Sequence, residues 1–92
     1  MRHKLSFHKK TIKDLDRLPA DVVERIMRVI SLLAENPLPV GHKKITSLTN
    51  GHRIRIGDYR VIYLLYQKEG EIKIMRVRHR KEIYRNLGDL PL

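Results

Sequence analysis

Ninety-two residues, 41% of them hydrophobic and 33% charged, predict one folded domain over residues 1–92 with a single core. Twenty Lys and Arg against ten Asp and Glu give a formal charge of +10, which points towards nucleic acid, an anionic membrane or an acidic protein partner. The absence of cysteine excludes disulfides and Cys-based zinc sites; with no signal-peptide h-region and no run of roughly 18 apolar residues, a cytoplasmic location is expected. Because the basic residues are spread along strands and helices instead of forming one amphipathic membrane-surface helix, nucleic acid is favoured.

Residues 3–8 alternate, with Leu5 and Phe7 in one phase, and predict a short first strand. From Lys9 to Leu18 the period changes, because Ile12, Leu15 and Leu18 recur every three residues as on a short amphipathic helix. Pro19 interrupts it, proline being tolerated in the first turn of a new helix. Asp21 and Glu24 suit the positive end of that second helix, whose apolar stripe is Val22, Ile26, Val29, Ile30 and Leu33. Asn36-Pro37 ends it, so the two helices should form a hairpin. Residues 37–51 read as loop, punctuated by Pro37, Pro39, Gly41, Asn50 and Gly51. Three strands follow, His52 to Ile56, Tyr59 to Tyr66 and Glu71 to Val77, joined by Gly57-Asp58 and by residues 67–70 as hairpin turns. Lys81 to Leu87 reads as a short terminal helix or turn before Gly88.

The order β-α-α-β-β-β predicts an α+β fold in which an antiparallel sheet packs against the helical hairpin and leaves its other face for function. Strand periodicity sets Ile54 and Ile56 opposite Arg53 and Arg55, and Val61, Tyr63 and Leu65 opposite Arg60, Ile62 and Leu64. The last strand breaks phase at Met75, which agrees with Val77 and not with Ile72 and Ile74; a bulge or burial of both faces accounts for that.

Seven of the eleven arginines lie after residue 50. Arginine is an always-charged fork that matches phosphate oxygens, whereas lysine is a point charge, so the bias points to a phosphate site. Arg53 and Arg55 share one face, and neighbouring strands can set Arg60 and Arg80 beside them on an exposed surface. The plainer reading is a solvated strand face paired with nearby acids. Tyr84 lies four residues beyond Arg80, on the same face if the segment is helical; it can stack on an unpaired base, or be an ordinary half-buried aromatic. His79 and His52 titrate near neutrality and are candidate acids or bases, though either can be a packing histidine. No zinc motif is present, and the scattered acids do not suggest a two-metal nuclease site.

The string from Arg53 to Tyr63, Arg-Ile-Arg-Ile-Gly-Asp-Tyr-Arg-Val-Ile-Tyr, with Val-Arg-His-Arg-Lys-Glu-Ile-Tyr-Arg over 77–85, resembles the RelE type of the RelE/ParE toxin superfamily. The helical hairpin, the Asn36-Pro37 stop and the loop from Lys44 to Leu48 are similar too, so the resemblance covers almost the whole chain. It implies a toxin with a cognate antitoxin protein as partner, acting on mRNA in the ribosomal A site. The implied reaction is attack of a ribose 2′-hydroxyl on the adjacent phosphate, with neither metal nor cofactor. It further implies Arg60, Arg80 and Tyr84 as catalytic residues, with Arg53, Arg55, His79 and Lys81 contacting RNA. Some members carry lysines where this chain has Arg53 and Arg55, and arginine stays protonated, which leaves Tyr84, His79, His52 or a held water to accept the proton. Two other readings remain: a ParE-like inhibitor of DNA gyrase without an active site, and a basic RNA-binding module that has lost catalysis.

Overall fold

The computed structural model describes residues 2–83. Its elements are β1 (Lys4–Phe7), α1 (Lys9–Asp16), α2 (Ala20–Leu33), β2 (Lys43–Lys44), β3 (Gly51–Ile56), β4 (Tyr59–Tyr66), β5 (Glu71–His79) and α3 (Arg80–Ile83). The expected α+β arrangement of helices on a sheet is present. Of the terminal helix expected over 81–87, the part beyond residue 83 lies outside the described residues. No described helix is long and apolar enough to cross a membrane.

The five strands lie in the order β1-β5-β4-β3-β2. β3, β4 and β5 form the expected antiparallel meander, but the sheet as a whole is mixed, because β1 pairs with β5 in parallel from Lys4 opposite Glu71 to Phe7 opposite Ile74. Alternation shows which residues share a face and is silent on which distant strand lies alongside, so this pairing was not readable from periodicity. A second departure is β2, a two-residue strand inside the segment read as loop: Lys43 pairs with Arg53 and Lys44 with His52. Its two lysines have little strand propensity of their own, and the β3 edge imposes the extended conformation.

The face towards the helices carries the main core. Ile26, Ile30 and Leu33 of α2 pack on Ile54, Ile56, Val61, Tyr63, Leu65, Ile72, Ile74 and Val77, in the phases the alternation predicts for β3 and β4. The phase break in β5 is a bulge: Ile62 pairs with Arg76 and Tyr63 with Ile74, so Met75 is skipped. Ile74 and Val77 therefore share the helix face although three residues apart, while Met75 joins Ile62, Leu64 and Leu48 in a small second cluster. The sheet's second face is thus only partly open. Loop residues Ile45 and Leu48 close one half of it.

Where β1 ends, α1 takes over the edge of β5. The Thr11 hydroxyl, fully buried, donates to the Ile74 carbonyl at 2.9 Å, and the Val77 N–H donates to the Asp14 carboxylate at 3.0 Å. Buried backbone groups that a further strand would have satisfied are satisfied by helix side chains instead. Gly57, in the two-residue β3–β4 turn, has φ +59°, a left-handed conformation that glycine adopts without strain.

Candidate phosphate-binding cleft

The open half of the second face is built from consecutive cross-strand pairs. Lys43 lies opposite Arg53, Arg55 opposite Arg60, and Arg60 opposite Arg78. Side chains of directly opposed residues stand on the same face, so strand pairing alone gathers these cations. A cleft of about 240 Å³ is lined by Gly41, Lys43, Arg53, Arg55 and Arg60, and a second of about 450 Å³ by Arg55, Arg60, Arg80 and Lys81. Arg55 and Arg60 line both, which joins them into one groove walled by a glycine and six cations.

The turn between β3 and β4 orients the shared pair. The Gly57 carbonyl accepts from Arg55 Nε at 3.3 Å and from Arg60 Nη1 at 3.4 Å, and the Tyr59 carbonyl accepts from Arg60 Nη1 at 3.2 Å. Carbonyl dipoles position a guanidinium without cancelling its charge, as a carboxylate would. Arg60 is 7% exposed, so it does not stand on the exposed surface expected for it. It is a buried cation whose side chain reaches the groove wall from between β3 and β5. Arg80, at the start of α3, donates its backbone N–H to the Asp58 carbonyl at 2.7 Å, and its Nε lies 3.9 Å from Asp58 Oδ1. Asp58 is the single described carboxylate in salt-bridge range of an arginine that lines the groove.

Of the residues singled out in the sequence, Arg53, Arg55, Arg60, Arg80 and Lys81 meet in this groove. Tyr84 lies outside the described residues. The two histidines are not brought there. His52 pairs with Tyr63 and stacks on its ring, centroids 5.6 Å apart, on the helix-facing side of the sheet. His79 pairs with Tyr59, packs edge-on against it at 5.4 Å, and accepts the Lys81 N–H at its Nδ1. Each immediately precedes an arginine of the opposite face, His52 before Arg53 and His79 before Arg80 at the strand end, so strand alternation carried the signal that removes His52 from the groove. Lys43 was missed, since a two-residue strand leaves no periodicity to read.

His52 sits in a separate arrangement. Its pKa is lowered from 6.5, first by burial and then by His42 and Lys44. Burial also pushes the Tyr63 hydroxyl up to about 12, and that hydroxyl donates to the Pro37 carbonyl at 2.7 Å. His42 Nδ1 lies 2.8 Å from the Pro39 carbonyl. These contacts fasten the 37–42 loop to the core and so hold Gly41 and Lys43 at the groove wall. Among the described residues, no three His, Asp or Glu side chains are grouped as metal ligands.

What the groove can do follows from its composition. Four guanidiniums and two ammonium groups, held on paired strands and a tight turn, suit a phosphodiester and the extra negative charge of a pentacoordinate phosphorane.

The model of the "ParE toxin of type II toxin-antitoxin system, parDE" family matches residues 5–84. Among curated proteins the chain is similar to Toxin RelE3 of Methanocaldococcus jannaschii, with 36% identity over 86 residues, covering 88% of this chain and 94% of that protein. It is also similar to Toxin RelG of Mycobacterium tuberculosis, with 29% identity over 86 residues, 92% of this chain and 99% of that protein. Among solved structures, the archaeal RelE–RelB complex from Pyrococcus horikoshii OT3 contains a chain that superposes with a TM-score of 0.75 at 30% identity, covering 87% of this chain and 97% of that one.

Proposed function

The chain belongs to the ParE toxin family of type II toxin-antitoxin systems and is a toxin of the RelE type, and on that premise we propose that it is a ribosome-dependent mRNA endoribonuclease. The observation that supports this reading is the groove walled by Lys43, Arg53, Arg55, Arg60, Arg80 and Lys81, with no carboxylate among the described residues of its lining. A gyrase inhibitor needs a protein-binding surface, not a row of guanidiniums concentrated on one concave strip. The relatives of highest identity named above also carry RelE names.

In this reading the mRNA backbone lies along the groove with the scissile phosphate between Arg55 and Arg60, the pair common to both of its halves. The ribose 2′-oxygen attacks phosphorus, a P–O2′ bond forms, and the P–O5′ bond breaks to leave a 2′,3′-cyclic phosphate. Charge builds on the non-bridging oxygens as the phosphorane forms, and Arg60 and Arg80 stabilise it; losing one such donor typically costs about 10²- to 10³-fold in rate. Arg53 and Lys81 hold flanking phosphates. Tyr84, by the family resemblance, stacks on the base beside the cut. The toxin acts in the cytoplasm, where the ribosome presents the mRNA, and a cognate antitoxin whose acidic and apolar side chains cover the groove holds it inactive, as electrostatic complementarity requires.

The test is primer extension on an mRNA translated in a cell-free extract with the purified chain. Cuts within codons, absent when translation is blocked and absent with Arg80→Ala, are the expected result. Intact mRNA together with inhibited gyrase supercoiling overturns the reading in favour of the ParE-like alternative, and RNA binding without cleavage favours a decayed toxin.

A further inference from the structure

We propose that His79 is a positioning residue for the groove: its Nδ1 caps α3 and so sets the direction in which Arg80 and Lys81 reach the phosphate, an inference that rests on the nuclease reading above. Lys43, Arg53, Arg55 and Arg60 stand on paired strands, whereas Arg80 and Lys81 are carried into the groove by α3. A four-residue helix does not fix its own axis, because a single turn closes too few hydrogen bonds to offset the cost of ordering it. Its first N–H groups have no acceptors within the helix, and what they bond to instead decides where the helix points.

The sheet supplies both of the first two acceptors. The Arg80 N–H donates to the Asp58 carbonyl in the β3–β4 turn at 2.7 Å, and the Lys81 N–H donates to His79 Nδ1 at 3.3 Å. The accepting ring is itself held. His79 is the last residue of β5, lies opposite Tyr59 in the β4 register, and packs edge-on against that ring with centroids 5.4 Å apart and planes at 88°. Strand register therefore fixes the imidazole, and the imidazole fixes the helix. The 3.3 Å bond is long, and its weight comes from repetition. Phe7-His8-Lys9-Lys10 leads from β1 into α1 as Arg78-His79-Arg80-Lys81 leads from β5 into α3, and His8 Nδ1 accepts the Lys10 N–H at 3.1 Å, again two residues ahead. The chain uses one device, a histidine cap, at two exits from the sheet. Thr11 and Asp14 tie α1 to β5 as well, whereas α3, a single turn, depends more heavily on its cap. His79 thus acts on the reaction through Arg80 and Lys81, without lining the groove.

The experiment compares single-turnover cleavage of mRNA on programmed ribosomes by the full wild-type chain and by His79→Phe, His79→Ala and His79→Asn. Phenylalanine keeps a ring edge on Tyr59 and has no acceptor; alanine has neither, so the result does not hang on how phenylalanine packs. Asparagine has no imidazole and is among the best capping side chains. His79→Phe and His79→Ala are each expected to slow cleavage by about tenfold, the usual size of a lost cap, while His79→Asn cuts within about threefold of wild type. Rescue by asparagine is an outcome that a proton-transferring imidazole does not allow. Cleavage by His79→Phe or His79→Ala within about threefold of wild type overturns the proposal and leaves the nuclease reading intact. A loss in His79→Asn equal to that in His79→Phe also overturns it, because the imidazole itself is then what the site needs. A wild-type chain that binds RNA and cuts nothing sinks the nuclease reading alone. The same order, wild type and His79→Asn above His79→Phe and His79→Ala, is then expected in affinity for single-stranded RNA, and equal affinities overturn the positioning role.

Discussion

Arg76 clasps Asp14 through two hydrogen bonds, Nε to Oδ2 at 2.8 Å and Nη2 to Oδ1 at 3.0 Å, with both side chains almost completely buried. The same carboxylate accepts the Val77 N–H at 3.0 Å, so one side chain ties α1 to the edge of β5 just beyond the bulge. Removing Asp14 takes two charge-assisted hydrogen bonds from a buried guanidinium and leaves the Val77 N–H without its acceptor. Asp14→Ala should destabilise the protein by about 3 kcal/mol or more, read as a lower denaturation midpoint at unchanged m-value. A loss below about 1 kcal/mol would mean that water reaches Arg76 and that the clasp contributes little.

Arg60 and Arg80 should separate on stability while agreeing on activity. Each alanine variant is expected to lose about 10²-fold or more in cleavage. Arg80 has a side chain 51% exposed and, among the described residues, only a long ionic contact to Asp58, so Arg80→Ala should shift stability by no more than about 0.5 kcal/mol. Arg60→Ala should unfold more readily as well, because a buried side chain is removed from between strands. Toxicity assays in cells must therefore be paired with thermal melts of the purified variants; full toxicity of either alanine variant removes that arginine from the phosphate site.

By the family resemblance, Tyr84 is expected to stack on the base beside the cut. Base–aromatic stacking is worth about 1–3 kcal/mol, so Tyr84→Ala should slow single-turnover cleavage by roughly one to two decades. Tyr84→Phe keeps the ring and should cut at nearly the wild-type rate. If the phenylalanine variant loses as much as the alanine variant, the hydroxyl takes part in chemistry.

Stability should fall on mild acidification. His8 caps α1, its Nδ1 accepting the Lys10 N–H, and its pKa is lowered from 6.5 by burial, then by Lys73, Lys10, Lys9 and Arg76. His52 is lowered likewise, by burial, His42 and Lys44. A histidine whose folded pKa lies below its unfolded value binds its proton more weakly when folded. Its contribution is therefore complete above 6.5 and is lost as the pH drops from there through the folded value. Melting temperatures should decline between about pH 7.5 and about pH 5.5, and less steeply in His8→Asn, which retains a capping side chain, and in His52→Gln. An unchanged slope in both variants assigns the decline to other groups.

Antitoxin binding should compete with RNA for the groove. Saturating cognate antitoxin is expected to abolish cleavage and to protect the groove arginines from guanidine-directed chemical labelling. Complete inhibition with undiminished labelling of Arg53 and Arg55 would place the inhibitory contact elsewhere and require distortion of the site from a distance.

Much of the groove was legible in the chain by itself. Alternation alone separates Arg53 and Arg55 from Ile54 and Ile56, and Arg60 from Val61, because side chains two apart in a strand share a face whatever the strand pairs with. The helical stripe of Ile26, Ile30 and Leu33 was legible for the same local reason, and the order of elements with the arginine-rich strings pointed to the family. Local periodicity has no information about contacts between distant segments, and those were decided by the tertiary structure. It placed β1 parallel to β5, and opened the bulge that lets Ile74 and Val77 share the core. It drew Lys43 across from Arg53 out of an apparent loop, and joined Arg76 to Asp14, 62 residues away in sequence. Each of these depends on burial and pairing energies summed over the whole sheet, which no window of sequence contains.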